Sequence, residues 1–209
     1  MNIDYEKIGG EIQQSFSLLL NERFPRNLLD KAKENKTIKI ISIACGKFIE
    51  AECLLNYFNL HEISVKLYGI EIDEELLSSA KSRLLTDDKK DCIFLQSGDA
   101  SKSENYEEWV KDGLFDLIIV RHPEITFNTE VFMKIFSNGI KVLNKNGYLF
   151  ITTHYENEKR ALKFLFNILK LTTIHEIENV NAASLKKGDE IVFADRFLLV
   201  AGQANEPIT

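Results

Sequence analysis

Residues 38–46 read IKIISIACG: a short β-branched apolar run that closes on small residues. A run of this length and composition predicts a strand buried on both faces rather than a helix. A helical stretch, Ile49 to Leu60, follows it directly. A second apolar run comes next, Val65 to Ile72 (VKLYGIEI). Asp73 is then placed to cap a helix in which Leu76, Leu77, Ala80 and Leu84 share one face. Strand, helix, strand, helix in this order is the signature of a parallel sheet.

The alternation continues toward the C-terminus. Strands are expected at Cys92 to Leu95, Leu114 to Val120 and Tyr148 to Thr153, the last after an Asn146-Gly147 turn. Helices are expected at Tyr106 to Val110, Thr129 to Leu143 and Glu158 to Leu169. Two late strands, near Thr172 to Val180 and Ile191 to Ala201, come with no helix between them, so they can pair antiparallel at one sheet edge. Toward the N-terminus, Ile8, Ile12, Phe16, Leu19 and Leu20 recur at helical spacing, weakened early by Gly9 and Gly10. Pro25 is expected to open a second short helix carrying Leu28 and Leu29. The architecture expected is α/β: a doubly wound, Rossmann-like, mostly parallel sheet with a C-terminal antiparallel hairpin and an N-terminal helical cap.

The chain has 209 residues, enough for one such domain: a helical segment over 1–35 and an α/β core over 36–209. It is 44% hydrophobic and 28% charged, which excludes extended disorder. Its formal net charge of -6 gives no overall attraction for a phosphate backbone. The densest charged stretch, Thr86 to Asp91, mixes both signs and reads as a solvated turn. Three cysteines, Cys45, Cys53 and Cys92, are odd in number and lack CxxC spacing, so neither a disulfide framework nor a metal site is indicated. Met1 to Gly10 is too polar for a signal peptide, and no apolar run reaches the roughly 18 residues of a membrane span. The expected compartment is the cytoplasm.

In open α/β sheets ligands bind beyond the carboxyl ends of the strands. Three successive strand ends carry suitable residues. Ala44-Cys45-Gly46 is a small-residue turn that lets backbone approach a ligand, followed by a helix N-terminus. Glu71, with Ile72 beside it, can accept hydrogen bonds from both hydroxyls of a ribose. Asp99, in Gly98-Asp99-Ala100, can accept an exocyclic amine of adenine, though Asp also favours an Asx turn.

With these residues in this order, the sequence resembles the class I S-adenosylmethionine-dependent methyltransferases over Ile38 to Gly202. ISIACG is similar to the family's glycine-rich first motif, LYGIEID to its ribose motif and LQSGDAS to its adenine motif. FDLIIV and VLNKNGYLFIT are similar to its fourth and fifth strands. The resemblance implies a seven-stranded sheet, S-adenosylmethionine as cofactor, and cofactor contacts from Ala44, Cys45, Gly46, Glu50, Glu71, Ile72, Gly98, Asp99 and Ala100. The chain departs from the pattern at Ser42, where the family often has an acidic residue, and at Ala44 and Phe48, where it has glycine.

Methyl transfer from a sulfonium needs alignment and desolvation, and a base only where the acceptor must lose a proton. The ends of strands four and five supply Arg121, His122, His154 and Tyr155. His122 is the first candidate for a base or substrate contact, and Arg121 could pair a carboxylate of cofactor or substrate. Arg121-His122-Pro123-Glu124 lacks the Asn/Asp-Pro-Pro-aromatic pattern of enzymes that methylate nucleic-acid amines, so a small-molecule O- or N-acceptor is favoured over nucleic acid. Phe16 and Phe24 are core residues or, in a capping segment, substrate contacts. Two rival readings stand: an inactive methyltransferase-like binding module, motivated by Ser42, Ala44 and Phe48, and a nicotinamide-dependent oxidoreductase, for which Glu71 would also serve but which needs GxGxxG where only Gly46 is present.

Overall fold

The computed structural model describes residues 5–86, 89–187 and 190–203, without the side chains of residues 5–8 and 187. Asp87 and Asp88 of the charged stretch, and Met1 to Asp4, lie outside the described residues.

Seven strands form one sheet in the order β3-β2-β1-β4-β5-β9-β6. The first five are β1 (Thr37–Ile43), β2 (Ser64–Glu71), β3 (Ile93–Ser97), β4 (Phe115–Arg121) and β5 (Leu143–Thr153). These pair in parallel, with crossover helices between them. β9 (Phe197–Gln203) inserts antiparallel between β5 and β6 (Leu171–Glu178). The chain leaves β1 toward β2 on one side and reaches β4 on the other, so strand order reverses between β1 and β4. A crevice at the carboxyl ends of these strands follows from that reversal.

Helices cover both faces because β1 and β4 are apolar on both. One core gathers α1 (Tyr5–Arg23), α2 (Arg26–Asn35), α3 (Glu50–Leu60) and α4 (Glu74–Leu84) through Phe16, Leu20, Leu28, Leu54, Phe58 and Leu84. The other gathers α5 (Glu107–Val110), α6 (Thr129–Val142) and α7 (Glu156–Ile168) through Trp109, Phe136, Leu162 and Phe166. Asp73 caps α4 as its sequence position implies, with Oδ1 accepting from the Glu75 and Leu76 amides at 2.9 and 3.1 Å. No helix among the described residues is long and apolar enough to cross a membrane.

Two expectations need correction. The late run Ile191 to Ala201 is not one strand. It breaks at Asp195-Arg196 into β8 (Glu190–Ala194) and β9. β8 pairs antiparallel with β7 (Ala183–Lys187) as a separate two-stranded sheet. That hairpin packs on α1, with Ile12, Ala183, Leu185 and Ala194 forming their own apolar cluster. Secondly, Asn146-Gly147 is not a turn before β5 but part of an extended strand that starts at Leu143. Phe115 pairs with Leu143 and Leu117 with Tyr148, so the residues between them form a bulge. Gly147 permits it: a Cβ there would lie 2.7 Å from Leu143 and 2.9 Å from the Asp116 carbonyl.

Candidate active site

The loop after β1 has three residues in the left-handed region, although it keeps a single glycine. Ala44, Gly46 and Phe48 all have left-handed φ, at 53°, 53° and 51°. For Ala44 and Phe48 that conformation costs on the order of 1–2 kcal/mol each. Surrounding contacts hold it. The Cys45 amide donates to the Ile70 carbonyl at 3.1 Å, and the Phe48 amide to the Cys45 carbonyl at 2.7 Å. Arg83 Nη2 donates to the Lys47 and Phe48 carbonyls at 2.8 and 3.0 Å. Phe48 is buried, which compensates its strain with packing.

Glu71 sits at the end of β2, 6% exposed. Its Oε2 accepts from the Gly46 amide at 2.7 Å, and its Oε1 from the Ile72 and Asp73 amides at 2.8 and 2.9 Å. One carboxylate therefore ties the first strand-end loop to the second. The Gly98 amide donates to the Glu71 carbonyl at 2.9 Å, bringing in the third. Asp99 closes an Asx turn on the Ser101 amide at 2.9 Å, and hydrogen bonds from Ser101 hold its carboxyl below the usual range. Ala44, Gly46, Glu71, Ile72, Gly98, Asp99 and Ala100 all line one cleft of about 690 Å³. Its far wall is apolar: Val131, Phe132 and Ile135 of α6.

Arg121 and His122 line this cleft and a second cavity of about 220 Å³, which also shares Ala44, Gly46 and Leu76 with it. The second cavity is bounded by Cys45, Lys47, Ile49 and Glu50 on one side and His154 on another. Its roof is Ile12 of α1 with Leu185 and Ala194 of the β7–β8 hairpin. Of the cofactor candidates, Ala44 and Gly46 line both cavities, and Cys45 and Glu50 line this one alone.

Arg121 is not free to meet a ligand carboxylate as the sequence suggested. Its Nε and Nη2 donate to Asp195 at 3.0 and 2.6 Å, and its Nη1 to Glu50 at 3.2 Å. It stacks over the Phe16 ring at 4.7 Å. Glu50, 3% exposed, also accepts from Ser42 Oγ at 2.5 Å. Ser42 thus engages Glu50 where the family often places an acid. Burial alone would lower the Arg121 pKa, but Asp195 and Glu50 hold it above its ordinary value.

His122 and His154 stack face to face, ring centroids 3.8 Å apart and planes 19° from parallel. His154 Nδ1 lies 2.9 Å from the Phe193 carbonyl. A carbonyl only accepts, so Nδ1 carries the proton and Nε2 keeps its lone pair. Burial, and then the His122 ring, push the His154 pKa down to about 4. Glu158 holds this corner by accepting from the His154 and Tyr155 amides at 3.1 and 3.0 Å. Tyr155 is 38% exposed and lines neither cavity. Phe24 packs in the core on Tyr57 and Phe58, and Phe16 on Phe150, so neither reaches a cavity.

Sequence reasoning missed Asp195. It is fully buried in the turn between β8 and β9, at φ 53°. Besides Arg121 it accepts from Thr152 Oγ1 at 2.5 Å, and its backbone nitrogen lies 2.9 Å from His122 Nε2. The available signal was a charged pair, Asp195-Arg196, interrupting an otherwise apolar run.

No protein-family model matches the chain, and no curated sequence matches it significantly. Solved structures do match. TrmN from Thermus thermophilus superposes with a TM-score of 0.57 at 14% identity, covering 85% of this chain and 47% of that one. Magnesium protoporphyrin IX methyltransferase (ChlM) from Synechocystis PCC 6803, solved with bound SAM, gives 0.60 at 11% identity, covering 98% and 86%. The tRNA methyltransferase TrmK of B. subtilis gives 0.54 at 17%, covering 85% and 65%. The chain thus spans about half the length of TrmN and nearly two thirds of TrmK. At these identities the likeness speaks for architecture, and the architecture is that of the S-adenosylmethionine-dependent methyltransferases, with a hairpin roof over the cavity beside the cleft.

Proposed function

We propose that the protein is an S-adenosylmethionine-dependent methyltransferase acting on a small-molecule O- or N-acceptor. The observation that carries this reading is that two cavities share Arg121 and His122 in their walls: a long cleft with a ribose-type carboxylate and, beside it, a smaller chamber roofed by the hairpin.

The residues present fit the cofactor. A carboxylate offers about four acceptor sites, and Glu71 uses three on backbone amides, leaving capacity at Oε2. The left-handed loop at Ala44 to Phe48 brings backbone to the cleft floor. Ile72, Leu76 and Val131 supply apolar walls for a planar base, with Asp99 at the far end. Glu71 would hold the ribose, Asp99 and Ala100 the adenine, and the Gly46 loop the amino-acid tail. Bound there, S-adenosylmethionine supplies a methyl group already activated on a sulfonium.

The chain's remaining work is to align the acceptor, exclude water and receive a proton. Ile12, Leu185 and Ala194 roof the chamber and restrict it to a small, largely apolar group. His122 and His154 present the polar end of that chamber. Arg121 bridges the carboxylates of Glu50 and Asp195 and offsets one of their two negative charges. Among the neighbours, ChlM and TrmK carry names for very different acceptors, a porphyrin and a tRNA. The roof and the net charge of -6 favour the small molecule here.

Calorimetry with S-adenosylhomocysteine and with NADH tests the cofactor. Micromolar binding of the first and none of the second is expected. Binding of NADH alone would overturn the reading in favour of an oxidoreductase, and binding of neither would leave a methyltransferase-like module without cofactor.

A further inference from the structure

His122 Nε2 stands between two atoms of one residue: the Asp195 amide at 2.9 Å and the Asp195 Oδ1 at 3.0 Å. The amide can only donate and the carboxylate only accept. The same ring nitrogen can therefore be an acceptor or a donor without moving. Among the described residues His122 Nδ1 makes no hydrogen bond, and the ring lines both cavities. Nδ1 is thus the nitrogen left for an acceptor substrate.

We propose that Asp195 is the positioning residue of a proton-accepting dyad, holding His122 with Nε2–H on its carboxylate so that Nδ1 takes a proton from the methyl acceptor. This rests on the methyltransferase reading above. In the step, the heteroatom of the acceptor forms its bond to the methyl carbon as the C–S bond breaks. The C–S electron pair leaves with the sulfur, and the heteroatom's proton goes to Nδ1. The sulfonium loses its positive charge and the imidazole gains one, so charge balances. The substrate class that follows is an acceptor carrying a hydroxyl or an N–H, and not a tertiary amine.

The surroundings place an anion against His122 Nε2, the Asp195 carboxylate at 3.0 Å. Asp195 is fully buried, and although burial alone would raise its carboxyl, Arg121 and then His122 hold it well below the usual range. It stays an anion across the working pH range. Arg121 and, through it, Glu50 face the same carboxylate from β4 and α3. His154 stacks on the ring from the β5 end, with Glu158 of α7 behind it. Lys47 and Glu124 line the two cavities on their outer sides.

Ring ¹⁵N resonances of the wild-type protein, recorded against pH, test this without a known substrate. The neutral His122 ring is expected to show a protonated-type Nε2 and an unprotonated Nδ1. The opposite tautomer, with Nε2 accepting from the Asp195 amide, overturns the dyad. In Asp195→Asn, which removes the anion beside Nε2, the neutral His122 ring is expected to lose its preference for the Nε2-protonated tautomer. An unchanged tautomer there overturns it too. Because loss of Asp195 also loosens Arg121, Thr152→Val serves as the control that removes another hydrogen bond to the same carboxylate. It should leave the wild-type tautomer in place, and a tautomer change there would mean general disorder rather than a specific pair. S-adenosylhomocysteine calorimetry on the wild-type sample separates the two claims. Binding with the wrong tautomer removes the dyad alone, while no binding removes the methyltransferase reading beneath it.

Discussion

The Arg121 guanidinium grips the Asp195 carboxylate at two points, Nε to Oδ1 at 3.0 Å and Nη2 to Oδ2 at 2.6 Å, joining β4 to the turn that leaves the hairpin. With Glu50 on its third side, the group is a buried carboxylate–guanidinium–carboxylate triad. Such a triad adds little net stability when intact but is costly to break, since one charge is left buried alone. Arg121→Met is therefore expected to lower stability by about 3–5 kcal/mol in urea unfolding. Lys163→Ala, which breaks the exposed Lys163–Glu176 pair, should cost no more than about 1 kcal/mol. Equal losses in the two variants would refute the argument. The sign with pH follows from the depressed Asp195 carboxyl: its contribution is complete above the ordinary carboxyl range near pH 4 and is lost as pH falls further.

Ala44 carries left-handed strain with its methyl group exposed, so nothing offsets that strain by packing. Ala44→Gly relieves about 1–2 kcal/mol of strain and gives back part of it as unfolded-chain entropy. A net gain of about 0.5–1 kcal/mol is expected, seen as a rise of a few degrees in Tm. Phe48→Gly should do the reverse despite its similar φ, because it empties a buried site. A Tm drop in Ala44→Gly would show that the loop is held in some other shape.

These two residues show how far the sequence could be read. The α/β order was legible because β1, β2 and β4 are continuous apolar runs between periodic helices. Asp73 was legible because capping is local. The first loop was legible in position but not in shape, since its left-handed backbone is held by partners far away in sequence: Arg83 donates to the Lys47 and Phe48 carbonyls, and the Ile70 carbonyl accepts from the Cys45 amide. The hairpin was missed because Ala183–Lys187 is short, lysine-bearing and weakly periodic, and because Asp195-Arg196 looks like noise within one long strand. Arg121 was placed in the site but given an external partner, because its real partners lie 71 and 74 residues away.

Glu71 is the residue on which the proposed ribose contact rests. It accepts from three backbone amides, two within its own turn and one from the Gly46 loop. Glu71→Ala is expected to weaken S-adenosylhomocysteine binding by roughly 1–3 kcal/mol, or about 5- to 150-fold. Glu71→Gln should retain part of the affinity, since its amide oxygen can still accept. Unchanged affinity in Glu71→Ala by calorimetry would place the ribose elsewhere.

His154 gives the protein a second, distinct acid response. Burial and the adjacent His122 ring lower its pKa from 6.5 to about 4 in the folded state. Between those values the unfolded chain binds a proton that the folded chain refuses, so stability is full above about pH 6.5 and declines as pH falls toward 4. At about 1.4 kcal/mol per pKa unit the upper bound is roughly 3 kcal/mol, reduced by partial solvent access. His154→Phe preserves a ring to stack on His122 and removes the titration, at the cost of the hydrogen bond to the Phe193 carbonyl. The variant is therefore expected to be less stable at pH 7.5 yet to lose less between pH 6.5 and 4.5 than the wild type. Parallel denaturation curves for the two proteins across that interval would mean that His154 already takes its proton in the folded state, and that the roofed chamber is wetter than its apolar lining implies.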